Sequence, residues 1–405
     1  MARFPYGKTL VLGFGFFGIS VIWPLFNSLI PPMLEDLELS AVTIGFVLTW
    51  DNIINMFVQP VVGNLSDRTW TRFGRRKPWL LAGAPMAALF FVLVPFARQH
   101  FTTIALTILG TNIGMALFRS PTVAYLGDLF EPRDRSKANG VINLMGGLGG
   151  AVALFGGGAL YEIGVPSPFI AGAGIMLLAL LVVLLAVRET RGAETSQEVT
   201  AQPGLLRSIR MLAAGPDKSG LFLLLAIFSW FVGWNAMEAF FTLYARNVLE
   251  IAVGDATRML TAFAGLLIVF AIPSGLIATR FGRRSTILAG LAGMAASLIA
   301  GFFVRSPTVL LAMLGAMGAF WALVNINSLP LVYDLGGKQK IGALTGLYYF
   351  SSSAAAIAGP ILAGKLIDLT NHSAIWLFSA AFLGLAILFM TLVRARRPGT
   401  TTQEV

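Results

Sequence analysis

The chain alternates between long apolar runs and short polar turns. Each run extends for roughly 20 residues or more, the length an α-helix needs to cross a hydrocarbon core of about 30 Å. Twelve such runs follow one another, near residues 8–32, 41–64, 79–97, 102–127, 137–160, 167–187, 219–245, 257–279, 285–304, 307–333, 342–364 and 374–393. Segments of about ten residues with alternating hydropathy, the mark of a membrane β-barrel, do not occur. Backbone groups in lipid must be satisfied within the segment, so each run predicts a helix. The first run, from about Lys8 to Met33, is too long for the apolar stretch of a signal peptide and lacks a small-residue cleavage site. It reads as a first span. The long polar stretch 188–218 carries Glu189, Glu194 and Glu198, then Pro203-Gly204. It predicts a linker joining two six-helix bundles, residues 1–187 and 219–405. Within it Leu205, Leu206, Ile209 and Leu212 share one helical face, the pattern of a short interfacial helix.

Composition strengthens the membrane reading. Of 405 residues, 56% are hydrophobic and 12% charged, with a mean hydropathy of +0.78. Soluble domains carry about twice that charged share. The absence of cysteine excludes disulfides, thiol catalysis and cysteine metal sites. The two histidines, His100 and His372, fall in short loops, which argues against a histidine metal cluster. No Ser-His-Asp set and no phosphate loop is present. The expectation is a protein that is not an enzyme and needs no cofactor.

The net charge of +10 would raise the question of nucleic acid, but the placement of the charges answers it. With the N-terminus in the cytoplasm, twenty-three of the 29 Lys and Arg fall in cytoplasmic turns, linker and tails. Five (Arg98, Arg246, Arg258, Arg305 and Lys365) fall on the other side, and Arg119 lies inside a span. The positive-inside rule then places both termini in the cytoplasm, in the cell (inner) membrane. The bilayer accounts for the basic surface, and no nucleic acid or obligate protein partner is called for.

An internal repeat supports two halves. Arg72-Phe73-Gly74-Arg75-Arg76 returns as Arg280-Phe281-Gly282-Arg283-Arg284, each time between the second and third span of its half. Pro121–Asp128 finds a fainter echo in Pro330–Asp334, each closing a fourth span. Duplicated halves of this kind mark transporter folds with a substrate site at the repeat interface near mid-membrane.

Gly63-x-x-x-Asp67-Arg68 followed by Gly74-Arg75-Arg76 resembles the turn motif of the major facilitator superfamily. The resemblance implies twelve helices in two pseudo-symmetric six-helix bundles, an all-α membrane fold. It makes Gly63, Asp67, Arg68, Gly74, Arg75 and Arg76 a gating motif, with Gly63 allowing close helix approach and Asp67 pairing with an arginine. The spacing from Asp67 to Gly74 is longer than usual. With Trp50-Asp51 upstream, that longer form resembles the glycoside–pentoside–hexuronide cation symporters and the sucrose–proton symporters. In the first group, two carboxylates on the second span and one on the fourth serve the cation. Here the second-span pattern is Trp50-Asp51-Asn52-Ile53-Ile54-Asn55, so Asn55 replaces a carboxylate, and Arg119 stands at the fourth-span position. Those departures weigh against sodium. Arg119, with Asn112 seven residues before it, resembles the sucrose group, although Ile108 stands where that group has a sugar-contacting Asp.

Asp51, Arg119 and Glu238 are the ionisable residues deep in spans. Such groups cost about 2.5–3.5 kcal/mol each at mid-membrane and usually face a cavity or a partner. Asp51 and Glu238 are candidate proton-coupling residues; a structural ion pair is the alternative. Trp23 and Asn27 on the first span, and Trp230, Trp234 and Asn235 on the seventh, combine stacking rings with amides, which suits sugars. Plain packing is the competing reading. Asn52, Asn55, Arg119, Asn327 and Tyr348 complete the candidate substrate-binding set. The fifth-span glycines Gly146, Gly147, Gly149, Gly150 and Gly156–Gly158 read as close packing. They lack the central proline of the drug–proton antiporter motif. The predicted function is proton-coupled symport of a sugar or glycoside by alternating access. A drug or metabolite exporter of the same fold is the alternative, and a non-transporting membrane sensor stands further off.

Overall fold

A computed structural model of the protein describes residues 5–187, Glu189 and 218–393, without the side chains of Gly127, Pro132, Arg133, Ser136 and 335–343. The linker and interfacial helix expected over 188–218 therefore lie almost wholly outside the described residues. The described part is helical: α1 (Tyr6–Glu35), α2 (Ala41–Leu48), α3 (Trp50–Arg68), α4 (Lys77–Leu93), α5 (Phe101–Leu129), α6 (Pro132–Ile163), α7 (Ser167–Ala186), α8 (Ser219–Leu249), α9 (Val253–Phe281), α10 (Arg283–Phe303), α11 (Pro307–Leu369) and α12 (Ala374–Leu392).

Twelve stretches of these helices are long and apolar enough to span a membrane. Two features depart from a simple one-run, one-helix scheme. The second span is interrupted at Thr49, whose N–H bonds to the Phe46 carbonyl at 3.1 Å in the tighter three-residue pattern. By contrast, α11 carries two spans, Pro307–Asp334 and Leu344–Leu369, without leaving the helical conformation between them. The intervening Gly336–Lys340 contains no proline to stop it. Large apolar side chains such as Ile163, Leu185, Ile272 and Phe303 are more than 70% exposed. A surface like that is stable against lipid, not water.

The described residues group into two compact units. Of the described residues, the first takes in 5–187, Glu189, Glu238–Ala264 and Ala363–His372; the second takes in 218–237, Gly265–Leu362 and 373–393. In the first unit α1 packs on α6 and α7, and α4 packs on α5. Small residues set these distances. A Cβ on Gly149 would strike the Phe17 backbone, and one on Gly158 the Gly254 backbone, so α6 meets α1 and α9 at backbone contact.

The first unit is also tied at the end opposite the Arg72–Arg76 turn, called here the far end. Arg246 bonds Asp36 at 2.7 Å, Asn247 donates to Glu35 at 2.7 Å, and His372 Nε2 lies 3.2 Å from Glu35. Arg258 pairs with Glu162 at 2.5 Å. Asp368 accepts from the Ala41 and Val42 N–H groups at 2.7 and 3.0 Å, supplying negative charge to the N-terminus of α2. These contacts place the far ends of α8, α9 and α11 in the first unit.

Candidate transport site

The interruption at Thr49 puts Asp51 in the first turn of α3, part-way through a span. Its carboxylate accepts from the Asn52 backbone N–H and from Asn52 Nδ2, the latter at 2.7 Å. It lies within electrostatic reach of both Arg119 and Glu238. Glu238 accepts from Asn27 Nδ2 at 3.0 Å. The first unit thus gathers Asn27 on α1, Asp51 and Asn52 on α3, Arg119 on α5 and Glu238 on α8.

Helix counting gives the depth of the group. Asp51 lies ten residues past the start of α2 and Glu238 eleven before the end of α8. Asn112 lies eleven past the start of α5 and Trp23 twelve before the end of α1. At about 1.5 Å per residue, the four occupy one layer roughly 15–18 Å from the far end. Arg119 is two turns deeper and exposed, and it forms no hydrogen bond or ion pair among the described residues. Asn55 accepts from Gln59 Nε2 at 2.9 Å, and the Gln59 carbonyl accepts from Ser120 at 3.2 Å, beside Arg119. In the layer itself, Trp23 Nε1 and both amide atoms of Asn112 are buried with no hydrogen-bond partner.

The second unit holds the other predicted residues. Trp234 stacks on Trp321 with centroids 5.1 Å apart, and Phe231 meets Trp321 and Tyr348 edge-on. Trp230 is fully buried with an unpartnered Nε1. Asn235 donates to the Phe231 carbonyl one turn back at 2.6 Å. Asn327 is buried and donates to Ser274 Oγ at 2.8 Å, and Tyr348 shares a hydrogen bond with Ser328 at 3.1 Å. Of these contacts, Asn327–Ser274 joins α11 to α9, Tyr348–Ser328 joins the two spans of α11, and Asn235–Phe231 stays within α8.

At the opposite end of the first unit, the arginine turn forms a closed network. Arg76 is 4% exposed. It pairs with Asp67, donates to Asp128 at 3.0 Å and reaches Ser66 at 2.5 Å. Burial alone would lower its pKa, but the carboxylates of Asp128 and Asp67 outweigh this and hold it above the ordinary value, so the guanidinium stays charged. Arg75 pairs with Asp128 at 2.5 Å. Gly74 adopts a left-handed φ of +113°, which turns the chain into α4. Gly63 faces Ser120 closely, and Arg68 is exposed.

Sequence reasoning placed Glu189 in a linker and missed its role. Its carboxylate accepts from the backbone N–H groups of Arg75, Arg76 and Lys77 at 2.5–3.2 Å, and from the Tyr125 hydroxyl at 2.6 Å. It caps the N-terminus of α4, where unsatisfied N–H groups and the helix dipole favour an anion. The available signal was an acid just past the sixth span, on the same side as the arginine turn.

The sequence pattern of the Major Facilitator Superfamily matches residues 12–257 and again residues 248–404. The chain belongs to that family, whose members are membrane transporters and not enzymes. Multidrug resistance protein 2 of Bacillus subtilis is 24% identical over 93% of this chain and 92% of its own length. Sucrose transport protein SUT1 of Oryza sativa subsp. japonica is 34% identical, but over 24% of this chain and 18% of its own. Among solved structures, the nucleoside transporter NupG superposes with a TM-score of 0.73 at 15% identity, covering 96% of this chain and all of that one. The fold is that of the superfamily.

Proposed function

We propose that this transporter moves a sugar or glycoside by alternating access, together with a proton. The bundles 1–187 and 219–405 are the moving bodies in this reading, and the arginine turns face the cytoplasm of the cell (inner) membrane. The observation that carries it is the grouping of Asp51 and Glu238 with the amides of Asn27 and Asn52 within the membrane spans, and Arg119 two turns deeper within electrostatic reach of Asp51. Three ionisable groups in spans are expensive, at about 2.5–3.5 kcal/mol each, and a sensor without cargo has no use for them. Asp51 is the protonation site. Glu238 shares the layer and couples to it through space. Arg119 and the amides bind cargo hydroxyls, and Trp23 offers an apolar face to the ring. The similarity to a sucrose transport protein over a quarter of the chain supports the same cargo class.

An exporter of drugs or metabolites is the second reading. It is favoured by the relatives that match nearly the whole chain, which are multidrug and tetracycline resistance proteins. The two readings separate in proteoliposomes given labelled sucrose, maltose or melibiose, with and without an inward proton gradient. Saturable accumulation that follows the gradient in wild type, lost in Asp51→Asn while downhill exchange persists, is the expected result. No saturable sugar uptake under any gradient would move the exporter reading to first place.

A further inference from the structure

We infer that Asn112 is a further specificity-determining residue, whose amide hydrogen-bonds a hydroxyl of the cargo. The inference rests on the sugar reading above and adds a contact that reading does not use. Asn112 is 1% exposed in the middle of α5, and neither its Nδ2 nor its Oδ1 has a partner. Its neighbours show that the helix does not impose this. Thr107, Thr111 and Thr122 each satisfy their hydroxyl on a carbonyl of α5 itself, at 2.8–2.9 Å. A buried amide left open on both atoms is uncommon, and it leaves both a donor and an acceptor free for a polar group other than the surrounding side chains.

Two placements say what that partner is. Asn112 and Arg119 are seven residues apart, so at about 100° per residue they point within roughly 20° of each other on one stripe of α5. Asn112 also shares the depth of Asp51, Glu238 and Trp23, and α5 packs against α1, which carries Trp23. The Trp23 indole N–H is the second unpartnered group of that layer. An indole only donates, while an amide both donates and accepts. A hydroxyl answers both, since it accepts from one and exchanges either role with the other. A hydrocarbon cargo answers neither. Protein encloses Asn112 in this state, so cargo reaches it when the layer opens during transport.

The test is transport of sucrose, maltose and melibiose by wild type and Asn112→Leu in proteoliposomes, with the melting temperature of each protein in detergent. For the sugar that wild type accumulates, KM in Asn112→Leu should rise about five- to tenfold, the effect of one lost hydrogen bond, with Vmax within about twofold. Should Asn112→Leu fail to reach the membrane, Asn112→Thr should raise KM in the same direction, because its hydroxyl would turn to the helix backbone as Thr111 does. An unchanged KM with a raised melting temperature would overturn the inference, because the amide is then a structural defect that apolar bulk relieves. Wild type that transports none of the three sugars would take down the sugar reading and this inference together.

Discussion

The two copies of the arginine turn share a sequence and differ in what surrounds it. Both begin the same way: Arg72 lies over the Phe73 ring at 4.7 Å and Arg280 over Phe281 at 5.5 Å. Both use a left-handed glycine, Gly74 at φ +113° and Gly282 at +86°. The last arginine then parts them. Arg76 is buried between Asp67 and Asp128, and Glu189 caps the helix that follows. Arg284 instead donates to the Met390 and Thr391 carbonyls at the end of α12, and the copy's ion pair is the half-exposed Arg283–Asp334. The position matching Asp67 is Gly275, and no acid follows α12 before Glu404. Duplication kept the turn, while the carboxylates that make it a buried lock are found in the first copy.

That contrast sets an order of effects. Asp128→Asn should cost most, about 3 kcal/mol, because it leaves a buried guanidinium with Asp67 as its one remaining carboxylate. The check is a marked fall in melting temperature in detergent. Glu189→Gln should follow at about 1 kcal/mol, since the amide can still accept hydrogen bonds but loses the charge at the α4 N-terminus. Scanning calorimetry of the two single variants and the double would measure how far cap and ion pair act together. Arg283→Gln should cost under about 0.5 kcal/mol, because its pair with Asp334 is solvent-screened. A loss in Arg283→Gln as large as in Asp128→Asn would break the comparison.

The spans were legible because lipid imposes a long apolar run on each, and the interruption of one run by Thr49 carries no such signature. Thr49 is an ordinary strong hydrogen-bonder, and its i→i−3 bond depends on local geometry. The unbroken α11 was likewise hidden, since Gly336-Gly337 reads as a turn in sequence and yet stays helical. Among site residues, Asp51, Arg119 and Glu238 stood out as charges in apolar runs, and the structure brings the three together within one unit. Asn27 was legible as an amide beside a Trp, but its partner Glu238 lies 211 positions away. Asn327 and Asn235 look alike in sequence, and packing gives them different partners, Ser274 on another helix and a carbonyl one turn back. Glu189 needed the folded turn to reveal which N–H groups it meets.

In the proposed mechanism a proton enters with the cargo through Asp51. This coupling is tested most directly by adding the transported sugar to the outside of proteoliposomes held at equal pH inside and out, and recording external pH. Wild type should draw protons inward and make the outside alkaline, by an amount that tracks sugar uptake. Asp51→Asn should give no pH change while still exchanging labelled for unlabelled sugar. Sugar uptake without alkalinisation in wild type, or a full pH response in Asp51→Asn, would contradict the account.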